Sequence, residues 1–246
     1  MAGRIVHCDS VIRSPLAGTP VLALGFSLLW SLGQLSATDN DTQVFERLLQ
    51  RSNPEAPPAY TAFRRLEGGL TDSDRRGWLE VRTEFRPGAG LTYQVIGEGG
   101  SEYVRNKVLR GMLNSEQESL AKGKRLRASL DANNYTFENG GTTSDGLQRI
   151  VMKPAKKADG IVNGHLLFNP ETGLVSRIEG RLVKSPSFWV RDVDIAYTFA
   201  HLNGHILPID VTSAGRVRLL GRSTFHMSYE YVSVNGQEVK RERTGV

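Results

Sequence analysis

From Tyr60 onward, apolar and polar residues alternate with a period of two, as in strands with one face against a core and the other in water. Gly77, Leu79, Val81, Thr83 and Phe85 fall on one side, and Trp78, Glu80, Arg82, Glu84 and Arg86 on the other. Pro87-Gly88 predicts a turn, and Leu91, Tyr93 and Val95 begin a strand that ends at Gly97-Glu98-Gly99-Gly100. Tyr135 to Glu138 is read as a strand before an Asn139-Gly140-Gly141 turn. Further strands are predicted over Leu147 to Lys153, Ile161 to Phe168, Leu174 to Val183, Val190 to Leu202, His205 to Ser213 and Arg222 to Val234. The sharpest alternation sets Phe225, Met227, Tyr229 and Tyr231 against His226, Ser228 and Glu230. Turn chemistry separates the strands, most plainly at Asn203-Gly204. Links this short exclude parallel crossovers, so roughly nine to eleven strands form one antiparallel sheet. A sheet that wide must curl, split or close. The expected fold is mainly β: a curled antiparallel sheet, an unclosed β-barrel, with helices covering its concave face.

Helical spacing interrupts this pattern twice. Val44, Phe45, Leu48 and Leu49 share a face within Asp41 to Arg51, with Asp41 placed to cap, and Ser52 to Pro58 breaks the segment. Ser101 to Ala121 is a helical insertion between strands, with Tyr103, Val104, Val108 and Met112 on one predicted face. Ser115 and Glu118 match a capping box, which predicts that the helix restarts after Asn114. Gly123, among Lys122, Lys124, Arg125 and Arg127, closes it.

The first 37 residues differ from the rest. Arg4 and Arg13 precede an uncharged apolar run, Val21 to Trp30, and small Ala37 stands before polar Thr38-Asp39-Asn40. That order reads as a secretory signal cut after Ala37, leaving residues 38–246 as a single β domain. Cys8, the sole cysteine, would leave with the signal, which suits an oxidising compartment. The net charge of +5 becomes +4 without Arg4, Arg13 and Asp9. In an exported chain such a charge speaks for envelope surfaces, not nucleic acid.

Little else suggests chemistry. Gly97-x-Gly99 has Glu102 where a dinucleotide turn needs its third glycine, so no cofactor is expected. A two-residue turn at Asn203-Gly204 pairs Leu202 with His205 and His201 with Ile206, which puts the two histidines on opposite faces and argues against a shared metal. No nucleophile elbow is present, and Asp192 and Asp194, sharing a strand face, are the only pair of carboxylates that suggests hydrolysis. The chain is read as non-enzymatic.

The order of parts is an export signal, an N-terminal helix, strands, a central helical insertion and a long strand meander. Within it, the turn Asn169-Pro170-Glu171-Thr172-Gly173 leads into Leu174-Val175-Ser176-Arg177-Ile178-Glu179-Gly180, and Gly221 to Tyr231 forms a closing strand. From about Thr42 to Val234 the chain resembles the periplasmic LolA/LolB-like lipoprotein carriers, as a divergent member. The resemblance implies an unclosed barrel that holds acyl chains beneath its helices. It also implies lipid or lipoprotein acyl chains as partners, with envelope membrane proteins beside them, and a periplasmic location. Arg64 and Arg65 are positional candidates for that family's cargo-gating arginine. The absence of a lipidation motif around Cys8 disfavours a membrane-tethered acceptor. The expected apolar cavity is lined by Leu79, Val81, Phe85, Tyr93, Val95, Phe225, Met227 and Tyr229 of the sheet and Tyr103 and Met112 of the helix. The first expectation is therefore a carrier or sensor of acyl groups. The alternative is an envelope interaction module with a dry core.

Overall fold

The computed structural model describes residues 57–121, 130–185 and 190–239, all within one compact unit, Ala37–Val246. The predicted signal segment, the predicted helix over Asp41 to Arg51 and the basic run after Ala121 lie outside the described residues.

Among the described residues, eleven strands form one sheet: β1 (Tyr60–Leu70), β2 (Arg76–Arg86), β3 (Gly90–Gly100), β4 (Tyr135–Thr142), β5 (Gln148–Pro154), β6 (Val162–Phe168), β7 (Val175–Leu182), β8 (Val190–Leu202), β9 (His205–Val217), β10 (Gly221–Val234) and the short β11 (Gln237–Glu238). Every pairing is antiparallel, in the order β3-β2-β1-β10-β9-β8-β7-β6-β5-β4, with β11 beside β10. Strands β3 and β4 are the two edges, and the sheet is not closed into a barrel.

The join that makes one sheet out of two meanders is β1 against β10, paired from Tyr60 opposite Val234 to Leu70 opposite Ser223 with one bulge between Thr61 and Ala62. Side chains alternate along it as strand geometry demands. Tyr60, Ala62, Arg64 and Leu66 of β1 are buried on one face, while Phe63 and Glu67 on the other are exposed. That buried face continues through Leu79, Val81 and Phe85, then Val211, Met227 and Tyr231, and on to Ile150, Met152, Leu166 and Phe168 near the far edge. Aromatic packing fixes one end of it, with the Tyr60 ring 5.7 Å from Phe85 and 5.4 Å from Tyr231.

A helix follows β3 and lies over this face. It starts with a π-helical stretch, Val104–Leu109, and continues as α1 (Arg110–Ala121). The backbone N–H of Arg110 donates to Arg105 O, the five-residue hydrogen bond of a π-helix. This winding alters the face predicted from a 3.6-residue period. Val104 and Leu109, five apart, turn inward together and Leu113 follows, so these three are buried. Tyr103, Val108 and Met112, predicted to share the inward face with Val104, are exposed. The predicted restart after Asn114 is also absent: α1 runs unbroken past Ser115 and Glu118, because Glu116 and Gln117 tie this turn to the sheet. Among the described residues, no helix is long and apolar enough to cross a membrane.

One predicted turn is displaced. Asn139-Gly140-Gly141 stays within β4 as a bulge, in which the Gly141 N–H donates to Asn139 Oδ1. The chain reverses at Thr143 to Gly146, where the Gly146 N–H donates to Thr143 O. The Asn203-Gly204 turn forms as expected, with both residues at positive φ.

The π-helical register makes a direct prediction for stability. Leu109→Ala should cost ~2–5 kcal/mol in urea denaturation, as for a fully buried leucine. Met112→Ala should stay within ~1 kcal/mol. Equal losses would restore the ordinary helical face.

Candidate functional site

The space between helix and sheet gathers most of the residues picked from the sequence. Leu79, Val81 and Met227 pack with Leu66, Val104, Leu109, Leu113 and Val211 in one buried cluster, flanked by Tyr93, Val95, Phe225 and Tyr229. Phe85 belongs to the adjoining cluster of Tyr60, Ala62, Leu91 and Tyr231, which also touches Tyr229 and Leu120 of the helix. Tyr103 and Met112 lie outside both, on the solvent side. Leu66, Val211, Leu109 and Leu113 were not among the expected lining residues. The alternation of β1 and β9 could have supplied the first two, whereas the helical pair depends on the π-helical winding.

A charged residue lies beneath the helix. Arg64 is 2% exposed, on the core face of β1 between Ala62 and Leu66. Its Nη2 donates to Glu116 Oε2 of α1 at 2.7 Å and also to Met227 Sδ, and the guanidinium carbon stands 4.7 Å from the Tyr229 ring centroid. Burial opposes the charge, but the neighbouring Tyr229 and Glu116 outweigh it, and the guanidinium pKa lies above its ordinary value. Nε and Nη1 of Arg64 are buried without a hydrogen-bond partner, as is Thr83 Oγ1 on the same face of β2. Two guanidinium nitrogens of a buried arginine thus lack hydrogen-bond partners beneath the helix.

More polar ties run along the helix. Glu98 of β3 pairs with Arg105 at 2.6 Å and with Arg110, and the Arg110 hydrogen bond, supported by Arg105, holds its carboxyl below the usual range. Tyr93 Oη donates to Asn114 Oδ1 at 2.8 Å, and Gln117 Nε2 donates to Leu91 O at 2.9 Å. The helix is therefore held by three buried apolar side chains and a row of polar contacts.

A second hollow crosses the opposite face. Gly100, Gly77, Gly68, Phe225, Ser213, Ile195, Gly180, Gly164 and Met152 stand in one registered row from β3 to β5. The neighbours of this row point away from the helix and line a groove of about 1170 Å³. Its walls include Glu67, Trp78, His226, Glu179, His165 and Arg181, with small Thr212, Ala214 and Ala196 between them. Arg65, the other gating candidate, lies here: it pairs with Glu67 and Glu80 and sits 4.6 Å over the Trp78 ring. Asp194 is taken up by Arg181, at 2.8 and 3.1 Å, which holds its carboxyl below the usual range. The bulge between Arg191 and Asp194, with Asp192 at φ 50°, breaks the alternation that would align the two aspartates. Of the row, Gly164 is the tightest: a Cβ there would stand 2.0 Å from Glu179 O.

Two substitutions probe these contacts. Glu116→Ala strands the Arg64 charge and should cost ~3–5 kcal/mol, whereas Arg64→Met with Glu116→Gln should recover most of that. A double-mutant cycle by chemical denaturation measures the coupling. Gly164→Ala forces β6 and β7 apart and should lower the melting temperature by more than Gly111→Ala, where a Cβ meets nothing within 4 Å.

No protein-family profile and no curated protein matches the sequence. Among solved structures, the chain is similar to a LolA superfamily protein, NE2245, from Nitrosomonas europaea: 8% identity, TM-score 0.41, covering 75% of this chain and 90% of that one. It is also similar to a DUF1329 family protein from Desulfovibrio piger: 9% identity, TM-score 0.42, covering 77% of this chain and 90% of that one. Neither likeness carries the functional reading, which stands on the geometry.

Proposed function

We propose that the protein is an exported, non-enzymatic carrier or sensor of lipid or lipoprotein acyl chains, working in the periplasm, with the helix over the sheet as its lid. The observation that carries this reading is Arg64. A buried arginine that spends one nitrogen on a helix carboxylate and leaves two without partners is a poor permanent fastener, since apolar residues of similar volume hold as well or better. It suits a contact made to open. With the helix displaced, Leu66, Leu79, Val81 and Met227 would form an apolar floor, and the free donors of Arg64 would meet an ester carbonyl or carboxylate at the polar end of an acyl chain.

The magnitudes are compatible. Three buried helix side chains contribute ~1.5–3 kcal/mol each. A chain of about twelve methylenes at ~0.8 kcal/mol each offers a similar or larger gain. Ligand burial is therefore of the size needed to offset the loss of the helix's apolar packing. Met227 and the aromatic residues around it adapt to chains of differing shape.

A second reading, an envelope interaction module with a dry core, draws on two features. The buried cluster under the helix is filled by Val104, Leu109 and Leu113, and the large groove lies on the polar face instead.

Mass spectrometry of lipid extracted from gently purified, exported protein separates the two. Stoichiometric acyl lipid, lost when Met227 and Tyr229 are replaced by bulky polar residues, is the expected result. Glu116→Gln should raise uptake of a fluorescent fatty acid by loosening the lid. Folded protein that is empty and refuses added lipid would leave the interaction module.

A further inference from the structure

Strands β1, β5, β7 and β9 finish, and β2, β6, β8 and β10 begin, at one end of the sheet. At the centre of that end is the β9–β10 hairpin, whose tip is Arg218-Leu219-Leu220-Gly221. Leu219 is 96% exposed and Leu220 45%, the former being the most exposed large apolar side chain among the described residues. Leu219 also has φ 66°, a left-handed conformation that disfavours leucine and is ordinarily given to Gly or Asn. The protein uses the ordinary solution elsewhere. Its turns at Asn203-Gly204 and Asn235-Gly236 place Asn and Gly at positive φ. A fully exposed leucine at this position therefore does nothing for folding that Gly or Asn would not do better.

Their surroundings are basic. Arg216 and Arg222 flank the tip, both exposed, and Arg218 lies within it. The neighbouring connections at this end add Arg75, Arg76, Arg191, Lys156, Lys157 and Lys184, against Asp72, Asp74, Asp159 and Asp192. Glu102 and Asp131 stand at its two outer edges. Lys184 is engaged by Asp159 at 2.9 Å. The opposite end has a mild acidic excess in its described turns and strand ends, with Arg86 and Arg149 against Asp145, Glu171 and Glu238. Apolar side chains projecting from a cationic rim match an anionic bilayer surface, where the aliphatic groups enter the headgroup boundary and the cations meet phosphates.

We propose that the β9–β10 hairpin tip docks the protein on an anionic lipid surface, with Leu219 and Leu220 entering the interface and Arg216 and Arg222 meeting lipid phosphates. The docking site is separate from the space beneath the helix and does not require that space to hold lipid. The Thr71 N–H donates to Arg222 O at 2.8 Å, bracing the tip against the neighbouring β1–β2 turn. The leucines are therefore presented from a supported hairpin.

The test is co-sedimentation of the exported protein with vesicles of phosphatidylcholine alone or with a third of phosphatidylglycerol. Wild type should bind the anionic vesicles, and the bound fraction should fall as salt is raised. Leu219→Gly with Leu220→Ser removes both apolar side chains and puts at 219 a residue suited to φ 66°, so folding should be kept, as circular dichroism and thermal melting will show. Its binding should drop about tenfold or more, the loss expected when the apolar transfer of two leucines is forfeited. Arg216→Gln with Arg222→Gln should remove the preference for anionic lipid. Undiminished binding by the folded leucine variant, equal binding to both vesicle compositions, or no binding by wild type would overturn the proposal.

Discussion

The pairing of β1 with β10 is the constraint on which everything else rests. It joins residues more than 150 positions apart along the chain, from Tyr60 with Val234 to Leu70 with Ser223. Without it the three-strand meander β1 to β3 and the long meander β4 to β10 would be separate sheets, each with a bare apolar face. With it, Leu66, Leu79 and Val81 from the first meander and Val211 and Met227 from the second become one floor. Only then does the helix have a surface wide enough to bury Val104, Leu109 and Leu113. Contacts of such long range close a large loop before they return any energy, so this ladder is the costly step of assembly.

The two faces then take different parts. The buried strand side chains of the core face are apolar apart from Arg64 and Thr83, and the helix covers them through a mixture of packing and polar ties. That mixture is adjustable, since each polar contact can be exchanged for water at modest cost while the apolar part stays small. The polar face neutralises its own charges, Arg65 with Glu67 and Glu80 and Arg181 with Asp194, and His226 hydrogen-bonds Asp210. The glycine row between the faces brings strands into close contact, most of all at Gly164 and Gly180, and gives the groove a floor of backbone.

The helix and the hairpin tip share one property. Both set residues where folding alone would choose others: an arginine under the helix in place of an apolar side chain, and a leucine at a left-handed position suited to Gly or Asn. Departures from local preference are where function is best sought in a small domain.

The sequence by itself determined most of the strands, their antiparallel pairing and the face each buries, but not β1 or its place beside β10. Period two is a local property, legible in Leu79, Val81 and Phe85 or in Phe225, Met227 and Tyr229, and the Asn203-Gly204 turn is written in two residues. It also marked most of the apolar floor, because buried strand positions are the apolar ones. The tertiary structure decided the rest. The inward face of the helix followed from the π-helical winding, which no apolar spacing announces, and this moved Tyr103 and Met112 outward while Leu109 and Leu113 turned in. Asn139-Gly140-Gly141 looked like a turn, but its partners in β5 kept it in the strand as a bulge. Arg64 reads in the sequence as one of two adjacent arginines. Strand alternation sends it to the core and Arg65 to the groove, and only the helix brings Glu116 to meet it, since an ion pair between residues 52 apart depends on how distant segments pack.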